Sequence, residues 1–379
     1  MNTVFTNAKI ITADAVIEGS LEIRDGKILE ISTGNSSLPN AIDCEGHYLC
    51  PGFVELHTDN VERHLNPRPN SFWPARSAII NHDREIAGAG ITTVFNALYV
   101  GDTMFGGRSH EHMKDACDAV AAAKAEGHLK ADHFLHLRCE VSVENLMDHL
   151  SILLENDLAK LVSVMDHTPG QRQFVTIDSF KSYYQTKYKM SDAEFSEFVD
   201  VQMSAQVKYS EPNRRAVVNA ARDRGIQLAS HDDATIAHVD EAIADDVAIA
   251  EFPTTLEAAH ASHKAGLAVM MGAPNIVRGK SHNGNASARD FAEAGVLDII
   301  SSDYVPASLL HACLVLEENI EGISLPQAIS MVTSVPARKV GLNDRGVLAV
   351  GKQADIVLFN RQKNAPIVQQ VWRKGERVA

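Results

Sequence analysis

Pro51-Gly52-Phe53-Val54-Glu55-Leu56-His57-Thr58-Asp59-Asn60 is an apolar run that ends in an imidazole and a carboxylate two positions apart. In an extended strand, residues i and i+2 share a face. His57 and Asp59 could therefore grip one divalent cation at the strand's carboxyl end, where barrel enzymes place their chemistry. Taken alone, the pair reads first as a surface histidine and aspartate closing a strand, since such pairs are common and unspecific. The rest of the chain decides between these readings, because it repeats the device.

Outward from this run the text alternates between strand-like apolar stretches and helical ones. The strand-like runs are Gly52 to His57, Ile91 to Leu98, His133 to Glu140, Leu161 to Asp166, Ile226 to Ser230, Ala248 to Phe252, Ala268 to Met271 and Leu297 to Ser301. Helical stretches lie between them, among them Glu111 to Ala125, Val143 to Glu155, Asn213 to Arg224, Thr235 to Ala244, Thr255 to Lys264 and Ala286 to Ala294. Nearly continuous apolar strands in regular alternation with helices predict a (β/α)8 barrel over residues 51–344. One connection, residues 168–212, is unusually long. It carries the capping-box signature Ser191-Asp192-Ala193-Glu194 and a cluster of aromatics (Phe180, Tyr183, Tyr184, Tyr188, Phe195, Phe198). A lid, a dimer contact and a packing helix are all open readings of this insert.

The chain ends have a different texture. Residues 1–50 hold short β-type runs, with Asp25-Gly26 as a tight turn between them, and residues 345–379 repeat the pattern with Gly346, Gly351 and Gly375 as punctuation. Neither end can bury a core alone. They are expected to pair into one small β domain.

The 379 residues are 45% hydrophobic and 22% charged, ordinary globular material. A net charge of −14 argues against nucleic acid or an anionic membrane as partner, since both would be repelled at long range. A small anionic substrate stays open, because it responds to the local field of a cleft. Five cysteines without a C-x-x-C pair read as reduced thiols of a cytoplasmic protein. No signal peptide is evident, and no run approaches the ~20 apolar residues of a spanning helix.

Ionisable groups recur directly beyond the apolar runs. The third ends His136-Leu137-Arg138-Cys139-Glu140, the fourth Met165-Asp166-His167, the fifth Ser230-His231-Asp232-Asp233, and the eighth Ser301-Ser302-Asp303-Tyr304. Desolvating such groups is costly without a partner, and a shared metal centre is an economical one. His57, Asp59, Glu140, His167, His231 and Asp303 supply imidazoles and carboxylates enough for two divalent ions. Singly, each is as well explained as a hydrogen-bonded core residue. Asp303 has a second possible task, since a carboxylate at the last strand can hold the attacking water and accept its proton.

Cations and an amide follow the same strand ends. Arg68 lies in Asn66-Pro67-Arg68-Pro69, Arg172 in Thr168-Pro169-Gly170-Gln171-Arg172-Gln173, and Asn275, Arg278 and Lys280 in the stretch Gly272 to Asn285 after the seventh run. Barrels often build phosphate sites there, and arginine forks match phosphate oxygens. These five residues are the candidate substrate contacts; ordinary surface charge is the alternative.

Pro51-Gly52-Phe53 through His57, with Asp344-Arg345-Gly346-Val347-Leu348-Ala349-Val350-Gly351-Lys352-Gln353-Ala354-Asp355-Ile356-Val357-Leu358 near the end, resembles the amidohydrolase superfamily over the whole chain. The resemblance implies the barrel, the composite β domain and a metal-dependent hydrolase. Most members carry a second histidine where Asp59 stands. More closely, His57-Thr58-Asp59-Asn60, Asp166 to Phe174, Ser230 to Thr235, Glu251-Phe252-Pro253-Thr254-Thr255, Gly272 to Arg278 and Ser301 to Tyr304 resemble the PhnM family, in which His-x-Asp is expected. That family removes pyrophosphate from α-D-ribose 1-methylphosphonate 5-triphosphate in phosphonate catabolism, leaving the 5-phosphate. Relatives usually take a histidine from the sixth strand, which here ends Glu251-Phe252-Pro253. His167 is therefore expected to complete the metal site, with Glu251 in reserve.

Two other functions compete. An amidohydrolase acting on a cyclic amide or deaminating a nucleobase would share the metals without needing several arginines. A non-catalytic barrel scaffold would be expected to lose ligands, whereas every strand end but the sixth is filled. Mixed nitrogen and oxygen ligands suit zinc, manganese or iron. The acidic exterior and the aromatic insert are compatible with a homodimer.

Overall fold

The computed structural model describes residues 2–68, 71–101, 110–174, 180–181, 185, 190–279, 286–362 and 365–379. Its centre is an eight-stranded parallel sheet whose strands run in sequence order: Phe53–Thr58, Ile91–Val100, Asp132–Glu140, Ala159–Met165, Gln227–His231, Ile249–Glu251, Ala268–Gly272 and Ile299–Ser301. Each strand predicted from an apolar run is present, with its ends moved by a residue or two. A bridge between Thr58 and Asp303 joins the eighth strand to the first, so the sheet closes at the very residues of interest. Val54, Leu56, Phe95, Leu161, Ala229, Ile249, Met270 and Ile299 fill the barrel interior, which makes it a packed core.

The two chain ends build a second sheet. Its order is Glu376–Arg377, Ile367–Arg373, Ile356–Asn360, Tyr48–Pro51, Asn2–Ile11, Val16–Arg24 and Lys27–Thr33, with Ile42–Asp43 beside Asn2–Ile11. Asp25 and Gly26 both take positive φ (52° and 77°), the left-handed pair that a tight hairpin turn demands. Phe5, Ile10, Leu21, Ile28, Leu49, Ile356 and Trp372 form its core. Arg345 anchors the returning chain to the barrel, donating to Thr93 Oγ1 and Asp132 Oδ2 at 2.9 Å each.

Ser191 and Glu194 form the expected capping box, but the helix they start runs from Asp192 to Asp223 without a break. A separate helix beginning at Asn213 is thus corrected. Proline disfavours a helix interior because it lacks an N–H. Pro212 is exposed, so that missing bond lies on the solvent side, while Asn213, Val217, Val218 and Ala221 carry a buried face onward. Phe180, Phe195 and Phe198 pack into a small cluster of their own with Val199. Tyr183, Tyr184 and Tyr188 lie outside the described residues. All five cysteines are buried and unpaired, and among the described residues no helix is long and apolar enough to cross a membrane.

Candidate metal centre and active site

The carboxyl ends of the barrel strands are shaped by non-glycine residues in the left-handed region. Asp232 (φ 57°), Phe252 (φ 51°) and Asp303 (φ 54°) follow the fifth, sixth and eighth strands. Such backbone persists only where its surroundings enforce it, and it clusters at functional sites. Here the chain turns sharply at the point where each strand delivers its polar side chain.

Two buried glutamates support the centre from below. Glu55 accepts from the backbone N–H of His57 at 2.7 Å and of Ser302 at 2.6 Å, tying the first strand to the last. Burial pushes its pKa up to about 7. Glu251 faces His57 Nδ1 at 3.2 Å with one oxygen and His231 Nδ1 at 3.1 Å with the other. Burial opposes its ionisation, yet the neighbouring His136 and His57 hold its carboxyl well below the usual range. An ionised Glu251 fixes the N–H of both imidazoles at Nδ1 and leaves each Nε2 as a ligand atom. Phe252 holds the same two rings edge-on, at centroid distances of 4.9 Å and 5.5 Å.

The free nitrogens converge. His57 Nε2 is 3.7 Å from Asp59 Oδ1, His231 Nε2 is 3.5 Å from Asp232 Oδ2, and His167 Nε2 is 3.7 Å from the same Asp232 oxygen. Asp232 Oδ2 is buried and has no hydrogen-bond partner among the described residues. An orphaned carboxylate oxygen between two imidazole nitrogens is the setting that a divalent cation satisfies. His167, His231 and Asp232 thus fit a metal. A second grouping, His57, His136 and Glu251, is also close enough to share an ion. There His136 spends both nitrogens, on the Leu56 carbonyl and on Ser163 Oγ at 2.9 Å each, so we assign that grouping a supporting role.

Asp303 enters from the eighth strand, its backbone bonded to Asp59 N at 2.8 Å and to His57 O at 3.1 Å. Burial, then the charge of Asp59, pushes its carboxyl up to about 6. Gly272, at the end of the seventh strand, leaves room for it: a Cβ there would lie 3.3 Å from Asp303 Oδ2.

Of the expected ligands, His57, Asp59, His167, His231 and Asp303 line the mouth. Glu140 stands behind His167, accepting from its Nδ1 at 2.6 Å and its backbone N–H at 3.0 Å, and from Ser142 Oγ at 3.0 Å. Both Glu140 oxygens are thereby engaged. Glu140 raises the pKa of His167 against the opposing effect of burial. Glu251 was held in reserve as a metal ligand, and the structure sets it behind two imidazoles instead; Asp232, Glu55 and Arg138 were not singled out from the sequence as working members of the site. Asp232 had a signal, an aspartate adjoining a strand-ending histidine; the others lie within strands, where a charge looks like a flaw in an apolar run.

The expected cations fare differently. Arg172 is buried, and its fork is committed to Asp233 and Glu241, which also holds Arg214. Those carboxylates neutralise it and make it a tie between its loop, Asp233 and the helix Ile236–Ala244, a setting that does not favour the substrate contact expected of it. Arg68 is exposed on the loop after the first short helix, Asn60–Leu65. Asn275 is half-buried and accepts from Ala288 N at 3.0 Å. Arg278 is exposed at the rim, within electrostatic reach of Tyr304 beside Asp303. Lys280 lies outside the described residues.

Residues 76–379 match the sequence model of the amidohydrolase family. The chain belongs to the amidohydrolase family. This amidohydrolase is 45% identical, over 99% of its length and 100% of the relative's, to the α-D-ribose 1-methylphosphonate 5-triphosphate diphosphatase of Escherichia coli K12. It is 24% identical to an imidazolonepropionase of Thermoplasma volcanium, over 95% of this chain and 88% of that one. The solved 5-methylcytosine deaminase of Klebsiella pneumoniae shares its fold, with a TM-score of 0.66 at 15% identity over 100% of this chain and 97% of that one.

Proposed function

We propose that this amidohydrolase is a metal-dependent hydrolase that removes pyrophosphate from α-D-ribose 1-methylphosphonate 5-triphosphate and leaves the 5-phosphate. The observation that carries this reading is end-to-end identity of 45% with a diphosphatase of that name. The site agrees with it, offering imidazole and carboxylate ligands around a carboxylate suited to proton transfer. Water adds across the phosphoanhydride: one P–O–P bond breaks, a P–O bond to the water oxygen forms, and pyrophosphate leaves.

His57, Asp59, His167, His231 and Asp232 would hold two divalent ions, with zinc, manganese and iron all suited to this donor set. Bound there, the ions would polarise a phosphoryl oxygen and ease ionisation of water near neutral pH. Asp303 orients the attacking water and takes its proton. Glu251 and Glu140 hold the imidazoles in the tautomer that ligation requires. Arg278 and Lys280 are assigned to the outer phosphates, and Arg68 and Asn275 to the rim.

The reading extends to the whole protein. Residues 1–50 with 345–379 form the small domain, and residues 51–344 the catalytic one. We place the enzyme in the cytoplasm as a homodimer. The exposed Val201, Met203 and Val207 on the helix Asp192–Asp223 support a contact between copies there.

The test is pyrophosphate release from the ribosyl 5-triphosphate before and after a chelator strips the metal. Release that disappears with the metal and returns on its addition is expected. A metal-loaded enzyme that releases none sinks the reading.

A further inference from the structure

Arg138 stands within the third barrel strand, one residue from the apolar Cys139 and two from His136. Its side chain is 11% exposed, and its Nη1 donates to Asp59 Oδ1 at 2.8 Å. Asp59, at 32% exposure, is the more open partner, so the guanidinium forms the inner wall of the mouth. Its field reaches His57, His136, His167, His231 and Asp303. Burying a cation among histidines meant for a metal is unfavourable to both, and a fold with no use for it would replace it with an apolar residue.

Two further observations point to an anionic ligand. The buried Nε of Arg138 has no hydrogen-bond partner among the described residues. A guanidinium presents its donors as a rigid fork, and in Arg138 the Nε donor of that fork is left unsatisfied beside an engaged Nη1. The second observation concerns the other cations: Arg172 is neutralised by Asp233 and Glu241, and Arg68 and Arg278 are exposed. Arg138 is itself paired with Asp59, and Glu62, Glu251 and Asp303 also act on its charge, but these carboxylates belong to the mouth and its surroundings and not to a tie away from it.

We propose that Arg138 is the substrate-recognition residue of this centre, its guanidinium taking a phosphoryl oxygen of the triphosphate beside the anhydride bond that breaks. This rests on the diphosphatase reading above and adds to it the source of specificity. A neutral cyclic amide offers a carbonyl but no anionic oxygen, so Arg138 favours a phosphoanhydride over it.

The experiment compares wild type, Arg138→Met and Arg138→Lys, each metal-loaded, by calorimetric binding of inorganic tripolyphosphate together with metal content and KM for the ribosyl triphosphate. Arg138→Met should keep its metal while tripolyphosphate binding weakens at least about tenfold and KM rises with it. Arg138→Lys retains charge to pair with Asp59 but has no fork, and should recover only part of the loss. That second variant also stands as the test should the methionine variant not fold. Wild-type affinity in either variant overturns the proposal, as does a loss of metal in proportion to the loss of binding, which would make Arg138 a prop for Asp59. If wild type itself neither binds tripolyphosphate nor releases pyrophosphate, the diphosphatase reading falls first; if it does both and the variants match it, Arg138 alone falls.

Discussion

A carboxylate enclosed as Asp303 is, with Asp59 close by and its pKa pushed up to about 6, gives up its proton less readily than an exposed aspartate and takes one back more readily. That is the property a base for water attack needs. Replacing it by asparagine keeps its size and removes its proton affinity. Asp303→Asn should retain bound metal and lose turnover by about 10²–10⁴-fold, read as kcat alongside metal content; an active variant would remove Asp303 from the base role. Glu251 acts one step further back. With one oxygen on His57 and the other on His231, it sets two tautomers at once, and a glutamine can accept with only one of its two ends. Glu251→Gln should weaken metal binding about 10–100-fold in competition with a chelator, and unchanged affinity would show that the imidazoles need no such guide.

At the scale of elements, the site depends on how closely strand ends approach each other. Gly272 ends the seventh strand with φ −75° and ψ 128°, a conformation open to any residue, so its value lies in what it leaves empty. An added methyl would press on Asp303 Oδ2 from 3.3 Å, and the carboxylate would have to give by a few tenths of an ångström. Misplacement on that scale at a reacting group lowers rate more than stability. Gly272→Ala should therefore reduce kcat several-fold with little change in melting temperature. A variant as active as wild type would mean that Asp303 has slack. The loop after the fourth strand works by a different device: Arg172 pins it to Asp233 and to the helix Ile236–Ala244 through Glu241. That loop carries the stretch from His167 onward, so the pin bears on the position of a proposed metal ligand.

Across the whole molecule, a buried polar chain runs behind the barrel. Asn60 meets His82 at 3.0 Å, His82 meets Asn96 at 3.0 Å, Asn96 meets His133 at 3.2 Å, and His133 meets Asp83 at 3.1 Å. Burial, reinforced by the charge of His133, lowers the His82 pKa to about 3. The unfolded chain takes up a proton at this histidine below about 6.5, whereas the folded one refuses it down to about 3. Stability contributed by the neutral ring is thus complete above the unfolded value and declines by about 1.4 kcal/mol per pH unit below it. Asp83 adds to the same trend. Burial would raise its pKa, but hydrogen bonds from His133 and from the amides of Ala131 and Lys130 hold it below the ordinary value, so its contribution too is lost as pH falls. The raised carboxyls of Glu55 and Asp303 act in the opposite sense over the same range, so the His82 contribution is read by comparison: His82→Gln should lose less melting temperature than wild type between pH 6.5 and pH 4, even if it starts lower. A variant with the wild-type slope would relieve His82 of the role.

The alternation of apolar runs with helical stretches determined the eight-stranded barrel and its strand order, because a buried parallel strand must be apolar on both faces and any shorter pattern would expose it. The β texture of both chain ends determined that they pair, since neither holds enough apolar surface to stand alone. His57, Asp59, His167, His231 and Asp303 were legible for a local reason: each follows an apolar run, where an ionisable group is conspicuous. Only the tertiary structure separated the groups that face one another at the candidate site from those that stand behind them. Arg172 looks identical to a phosphate-binding arginine in sequence, and what sets it apart is its pairing with Glu241, 69 residues away. Glu251 becomes a guide for two imidazoles because His57 is brought to it from a separation of 194 residues. Arg138, inside a strand where a cation has no local explanation, acquires one only when closure of the barrel sets Asp59 against it.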